Sequence, residues 1–469
     1  MVVMKFGGTS VADQSAIDRL IAIVRSQRQG GGPRDARGPI VVVSALSGVT
    51  DRLLGIAAEA GAGDVEGARN NLRDLRARHI LVSHVVAGAE ARADVVRSLR
   101  REFDELERIV EALGVLREVS PRWLDTLAAA GEILSSRLVA AALTSHGLDA
   151  AWVDARLAVV TDAEHTKALP LFPETTAALM RHAAPPIAEG RVPVLGGFVG
   201  ATRDGVTTTL GRGGSDFSAA IVASCLGADE IQIWTDVDGM LTADPRLVAN
   251  AQVVPHLSFA EASELAYFGA KVLHPATIQP AMARDIPVRI LNSRRADAGG
   301  TLITSQRPPS ERPLTAIASK RQVTVVDITS SRMLMAHGFL RRLFEVFERF
   351  ATPVDVVTTS EVSVSVTVED RRRLPAIIDA LSEFADVSCE HDLAIVCAVG
   401  DGLRHEPGLA GEVLLGIGDV PLRMLSQAAS RRNVTFVIRE AELPAALRRL
   451  HDRFFAPAAL AAAGNAAVR

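Results

Sequence analysis

Apolar residues fall in short runs along the first two thirds of the chain, separated by longer stretches with helical period. VVMKF (2–6), PIVVVSAL (39–46), AAWV (150–153), VPVLGGFVG (192–200), EIQIWTD (230–236) and IPVRIL (286–291) are compact and apolar, most of them rich in valine and isoleucine, the mark of buried strands. Between them SAIDRLIAIVRSQ, the region 66–113 and SDFSAAIVASCLG repeat apolar positions every three or four residues, as amphipathic helices do. Strands alternating with helices predict an α/β domain over 1–305, a mostly parallel sheet covered on both faces. The stretch from EGARNNLRDLRARH through ELERIVEAL predicts helices projecting from that sheet.

The rhythm changes after TSQRPPSERP (304–313), whose prolines and polar residues predict a linker over 306–313. QVTVVDITS, FLRRLFEVFERF, PVDVVTT, SVSVTVE and RLPAIIDALSEF read as strand, helix, strand, strand, helix. DLAIVCAVGD, PGLAGEVLLGIG, PLRMLSQA, VTFVIRE and LPAALRRLHDRF form a second such unit. The repeat predicts two α+β domains, 314–385 and 386–455, able to exchange strands, and a disordered tail over 456–469.

Composition narrows the class. A length of 469 residues calls for two or three domains. A hydrophobic content of 48% favours a folded chain, and a net charge of -4 leaves no basic excess for nucleic acid. Arginine dominates the basic residues, the lysines being Lys5, Lys167, Lys271 and Lys320, so each retained lysine is a candidate for its compact point charge. Cys225, Cys389 and Cys397 are too few and scattered for a disulfide framework or a zinc site. MVVMKFGG lacks the apolar core of a signal peptide, and no apolar run reaches the length of about 18 residues that spans a bilayer. The expectation is a cytoplasmic protein with no membrane partner.

Several polar stretches carry candidate chemistry. KFGGTS (5–10) ends the first strand with a lysine and two glycines. Glycine lets backbone N–H groups come close to phosphate oxygens, with Lys5 as counter-charge. The spacing is not that of a Walker loop, and a tight turn after an edge strand would use the same residues. TTTLGRGGSDFSAA (207–220) sets Gly211, Gly213 and Gly214 before a helix opening near Ser215 and Asp216. Such an end attracts anions, so Asp216 is either a cap or the holder of a lysine or metal, and Arg212 has the fork that grips a carboxylate. WTDVDGMLTADPR (234–246) lacks the register of a calcium loop and fits a nucleotide-contacting loop at the carboxyl end of a parallel strand. ELAYFGAKVLHP (264–275) supplies Lys271. LAAAGEILSSRL (127–138) sets Glu132 in an apolar helix start, either solvated or functional.

In this order, KFGGTSV, SALSGVTD, GEILSSRL, LGRGGSDFSA, TDVDGMLTADPR, ELAYFGAKVLHP and IPVRILN give a chain that resembles the aspartate kinases of the amino-acid kinase superfamily over about 1–455. The two trailing repeats look like ACT domains. The resemblance implies an amino-acid kinase fold followed by two ferredoxin-like ACT domains. It implies transfer of the ATP γ-phosphoryl group to the β-carboxylate of L-aspartate, giving 4-phospho-L-aspartate, the first step towards lysine, threonine and methionine. ATP with Mg is the implied substrate complex, with no permanently bound cofactor and no protein metal site. By the same resemblance Lys5 steadies the phosphoryl group beside Gly7, Gly8 and Thr9, and Asp216 organises the charged centre. Ser44, Thr50, Glu132 and Arg212 hold aspartate, Glu132 facing its ammonium and Arg212 its α-carboxylate. Thr235, Asp236, Leu241, Arg246, Lys271 and Val272 line the ATP site, Leu241 standing where the family commonly has tyrosine. The segment 333–366 looks most like the lysine-inhibited, homodimeric branch. There Met333, Gly338, Phe339, Leu340, Val354, Asp355, Ser360 and Glu361 would cup L-lysine, with Ala336 in place of a frequent serine. The homodimer would form through the ACT region, burying apolar positions of QVTVVDITS. The alternatives are a kinase of another amino acid and a catalytically impaired amino-acid sensor.

Overall fold

The structure, a computed structural model, describes residues 1–30, 38–211, 213–269, 275–306, 308, 312–330, 337–427 and 432–456. Contacts divide the chain into two units, Met1–Met240 with Val272–Arg307, and Leu241–Lys271 with Pro308–Arg469. The expected single domain over 1–305 therefore gives up its segment 241–271 to the second unit.

The strands of the first unit are β1 (Val2–Phe6), β2 (Ile40–Val43), β3 (Ala150–Val153), β4 (Val192–Gly196), β5 (Val199–Ala201), β6 (Thr207–Thr209) and β7 (Glu230–Thr235). After β8 (His256–Ser258) in the second unit come β9 (Val288–Asn292) and β10 (Thr301–Thr304). The main sheet of this unit runs β3-β4-β2-β1-β7-β9-β10, parallel up to β9, with β10 antiparallel to it. All five residues of β1 are buried, which is what a central parallel strand covered on both faces requires. The expected run 192–200 breaks at Gly197-Phe198, where Phe198 takes the left-handed φ of 64°, and β5 turns away to pair with β6.

The region 66–113 becomes two helices, Val65–Val86 and Ala89–Leu116. Asp64 accepts the Gly67 N–H at 2.9 Å to start the first, and the Gly88 N–H donates to Ser145 Oγ at 2.8 Å where the second begins. Helix Pro121–Ser145 opens with proline at its first position, where a missing N–H costs nothing. By length and composition it could cross a membrane, yet 83% of its apolar window is buried inside the protein, as in a core helix.

The second unit holds β11 (Ala316–Thr329), β12 (Val357–Thr359), β13 (Ser363–Val368), β14 (Asp386–Val399), β15 (Met424–Ser426) and β16 (Asn433–Arg439), in the order β12-β13-β11-β14-β16-β15. β11 and β14 pair antiparallel along their length, with a register shift between Lys320 and Val323. Each strand serves two cores. Val326 and Ile328 pack with Leu343, Phe347 and Ile377, whereas Ile317 packs with Val396, Phe436 and Leu447. The two repeats thus interlock across the expected cut at 385–386. Val323, Val325, Val326 and Ile328 of QVTVVDITS are buried within this unit, between β13 and β14, so they are not a surface left for a second copy.

The segment 241–271 is stitched into this unit. Thr242 Oγ1 meets His451 Nε2 at 2.9 Å, the Ile317 N–H donates to the Thr242 carbonyl at 2.8 Å, and Asn433 Nδ2 donates to Glu264 at 2.7 Å. Helix Phe259–Tyr267 begins with a reciprocal cap, Ser258 Oγ accepting the Glu261 N–H and the Glu261 carboxylate accepting the Ser258 N–H.

One core group of the first unit sets an acid limit. His79 is fully buried, its Nδ1 2.7 Å from the Leu75 carbonyl and its ring edge-on to Phe103. Burial pushes its pKa down to about 4 against the pull of the Leu75 hydrogen bond. The unfolded ring takes up a proton below its ordinary 6.5, the folded one only near 4, so stability falls as pH drops through that window. The loss approaches about 3 kcal/mol at its lower end. Urea unfolding of His79→Leu between neutral pH and pH ~4.5 should show this loss reduced by about 2–3 kcal/mol relative to the parent.

Candidate active site

The parallel strands of the first unit end together, and loops at the carboxyl ends of such strands form the natural ligand crevice of open α/β sheets. β1 passes into Gly7, β2 into Ser44, β4 into Gly197 and β7 into Asp236. Gly8–Ser10 forms one 3-10 turn directly after β1. The Gly7 N–H donates to the Trp234 carbonyl at 3.0 Å, so Gly7 belongs to the sheet and is not a phosphate donor. Gly8 and Thr9 open the turn, and their N–H groups have no partner within it.

Helix Gly214–Leu226 starts beside these strand ends because Gly197 has no side chain. A Cβ there would lie 2.7 Å from the Ser215 Cα. Ser218 Oγ accepts the Phe198 N–H at 2.8 Å and donates to the Gly214 carbonyl at 2.9 Å, tying the turn after β4 to the helix. This placement brings Asp216 to Lys5. The Nζ–Oδ1 distance is 2.7 Å, and both side chains are nearly nine-tenths buried.

A cleft of about 260 Å³ opens here, lined by Lys5, Ser44, Thr50, Glu132 and Asp216. Glu132 sits midway along helix Pro121–Ser145 and not at a helix start, and it is buried. Its Oε2 has no hydrogen-bond partner among the described residues. Burial raises its pKa to about 8, against hydrogen bonds from the Ala45 and Glu132 backbone and the charge of Lys5. A carboxyl so placed is ready for a cation and poor at staying ionised without one.

The structure therefore joins five of the expected residues in one cleft. Arg212, Lys271, Val272 and Met333 lie outside the described residues. Thr235 ends β7 and the exposed Asp236 follows it, Thr235 Oγ1 donating to Asp236 at 3.3 Å and the Thr235 carbonyl accepting from Ser293. Leu241 and Arg246 belong to the second unit. There Leu241 bridges Val253, and the exposed Arg246 folds back on Asp244 with Nη2–Oδ2 at 2.7 Å.

Phe198 and Ser215 also line the cleft, and neither was singled out as a site residue. Phe198 reads as an apolar strand residue, and only its left-handed backbone turns it into the cleft wall. Ser215 reads as the start of the helix that carries Asp216.

In the second unit Gly338 precedes helix Phe339–Arg349 with φ 86°, and Leu340 is exposed. The Phe339 ring packs edge-on to Phe384. Ser360 and Glu361 lie in the turn before β13, Ser360 Oγ meeting Ser363 Oγ at 2.8 Å. Asp355 follows Val354 and already holds a cation: Lys320 Nζ is 3.1 Å from Asp355 Oδ1 and 2.7 Å from Glu369, above the ring of Tyr267.

Residues 1–292 match the amino acid kinase family and residues 396–454 an ACT domain. Chloroplastic aspartokinase 3 of Arabidopsis thaliana is 36% identical over 97% of this chain and 81% of its own length. The lysine-sensitive aspartokinase 3 of Escherichia coli is 35% identical, covering 97% and 99%. The crystal structure of E. coli aspartokinase III with aspartate and ADP superposes with a TM-score of 0.83 at 33% identity, covering 97% of this chain and all of that one. The same enzyme with lysine and aspartate gives 0.80, covering 97% and 99%. With a parallel sheet that gathers a lysine, an aspartate and a buried glutamate at its carboxyl edge, and with this likeness along its length, the chain belongs to the amino acid kinase family and, within it, to the aspartokinases.

Proposed function

We propose that the cleft binds L-aspartate and turns its β-carboxylate towards the γ-phosphoryl group of Mg·ATP. The observation that carries this reading is the buried Glu132 carboxyl in one cleft with the Lys5–Asp216 pair. Glu132 takes the substrate ammonium, Ser44 and Thr50 offer hydroxyls, and Arg212 takes the α-carboxylate. Lys5 faces the transferring phosphoryl group, and Gly8 and Thr9 donate main-chain N–H groups to it. The β-carboxylate oxygen bonds to the γ-phosphorus as the bond to the bridging oxygen breaks, and ADP carries away the electron pair. A carboxylate needs no base to become a nucleophile, so positioning and charge neutralisation are the protein's task. Magnesium enters with the nucleotide. Asp216 would hold it beside the phosphates, where it would supply charge neutralisation. Thr235, Asp236, Leu241, Arg246, Lys271 and Val272 line the nucleotide's path.

We further propose that L-lysine inhibits the enzyme through Met333, Gly338, Phe339, Leu340, Val354, Asp355, Ser360 and Glu361. The lysine-sensitive relative and the exposed carboxylate of Glu361 support this reading, and Asp355 would exchange its ion pair with Lys320 for the ligand. The enzyme then stands at the first step towards lysine, threonine and methionine, in the cytoplasm and as a homodimer through the ACT region. Exposed Val357, Val362 and Leu425 are apolar positions there that a second copy could cover.

ATP-dependent formation of aspartyl hydroxamate tests the activity. Lys5→Ala should lower kcat about 10²–10³-fold, and wild-type turnover in that variant would sink the assignment. Glu132 must ionise to meet the ammonium, so aspartate binding expels a proton below pH 8 or so. The KM for aspartate should fall roughly tenfold per pH unit up to that point and then level off. Glu132→Gln should abolish this slope and raise KM. Because the folded pKa lies above the unfolded one, ionising Glu132 weakens the fold as pH rises from 4.5 towards 8, so the same variant should melt at a higher temperature at pH 8. Lysine at millimolar concentration should inhibit the parent, and Glu361→Ala should raise the half-inhibiting concentration at least about tenfold, a difference of some 1.4 kcal/mol in effector binding. Inhibition by threonine instead would overturn the effector assignment.

A further inference from the structure

Asp125 lies two helical turns before Glu132, on the same helix Pro121–Ser145, and its side chain is fully buried. A buried carboxylate with no role in stability or chemistry would be costly, and this one has its acceptor sites filled from two other segments. Its oxygens accept the Thr166 N–H at 3.0 and 3.1 Å and the Thr209 hydroxyl at 2.5 Å, and Oδ2 lies 2.6 Å from His165 Nδ1. Thr209 ends β6, whose chain runs on into the glycine turn at the cleft. Thr166 has φ 69°, a left-handed conformation that a β-branched residue adopts only under constraint. The side chain of Thr166 is exposed, so packing does not supply the constraint, whereas the hydrogen bond to its N–H does.

The strained residue is also the floor of the cleft's turn. A Cβ on Gly211 would lie 3.2 Å from the Thr166 carbonyl oxygen and 3.4 Å from the Lys167 Cα. The Ala168 N–H donates to the Thr209 carbonyl at 2.9 Å, which closes the loop against β6. Gly211, with φ 73°, and Gly213 line the cleft beside Asp216. The geometry points to Asp125 as a positioning residue: it fixes the backbone of Thr166, which sets the height of the Gly211 turn and hence the width of the pocket on its aspartate side. Asp125 touches no reacting atom. This inference rests on the reading of the cleft as the aspartate site.

Steady-state kinetics of the full chain with both substrates test it. Asp125→Ala should raise the KM for aspartate tenfold or more, with the KM for ATP within twofold and kcat changed less than the aspartate KM. Asp125→Asn, which keeps an acceptor for the Thr166 N–H, should recover most of that loss. Adding Thr166→Gly to Asp125→Ala should lower the aspartate KM at least threefold, because glycine holds the left-handed conformation without the hydrogen bond. If Asp125→Ala does not fold, Asp125→Ser, too short to reach the Thr166 N–H, takes its place. A folded variant with an unchanged aspartate KM would overturn the inference. So would equal loss in both KM values and kcat together with a lowered Tm and no rescue by Thr166→Gly, since that pattern marks a purely structural role. An unchanged aspartate KM in Glu132→Gln would instead overturn the reading of the cleft, so the two failures are distinguishable.

Discussion

The ion pair between Lys5 and Asp216 is the constraint around which the first unit is arranged. Two opposite charges nearly nine-tenths buried hold together only when backbone elements deliver them to the same point. Lys5 is delivered by a strand at the centre of the sheet, flanked by β2 and β7, and so cannot shift without unpairing both neighbours. Asp216 is delivered by the first turn of a helix that approaches the sheet only because Gly197 is bare. The Phe6 and Trp234 rings stack on adjacent strands, further fixing β1 against β7. The cleft is thus a by-product of the sheet's own packing, and a floppy terminus could not have carried its first residue.

Much of this was legible in the chain. Strands β1, β2, β3 and β7 fall inside their apolar runs, and β9 passes its own by one residue, Asn292, because parallel strands covered on both faces need apolar residues at nearly every position. Lys5, Ser44, Thr50, Glu132 and Asp216, which line one cleft, are legible as a group only through the resemblance, since no spacing links their separate motifs. What escaped reading lies at longer range. The apolar pattern of LAAAG suggests a helix start at Glu132 and does not reveal that Pro121, eleven residues earlier, begins the helix. Strand exchange between the two repeats is expected from the sequence, but which strands interlock leaves no local trace, since each half of a long strand such as β11 or β14 alternates in the same way whichever core it serves. The role of Gly7 was misjudged for a similar reason: its N–H partner, the Trp234 carbonyl, is 227 residues away.

Two of the seven non-glycine residues with a left-handed φ among the described residues lie at the cleft. Phe198 and Thr166 both adopt left-handed conformations without being glycine, and one forms its wall while the other lies beneath its turn. Neither residue type predicts such a conformation, so these two contributions can be read only from three dimensions.

The affiliation of segment 241–271 bears on how such an enzyme can be dissected. The chain leaves the kinase fold at Met240 and returns at Val272, and in between it is packed and hydrogen-bonded among ACT residues. A gene cut at the proline-rich linker would therefore yield more than a kinase freed of its regulator. It would leave Phe259, Ala262 and Leu265, now buried, as an apolar flap within the remaining polypeptide, prone to aggregation. For this chain, the second unit is better probed by point substitutions than by deletions, and any transplant of a foreign ACT pair must carry its own version of this helix.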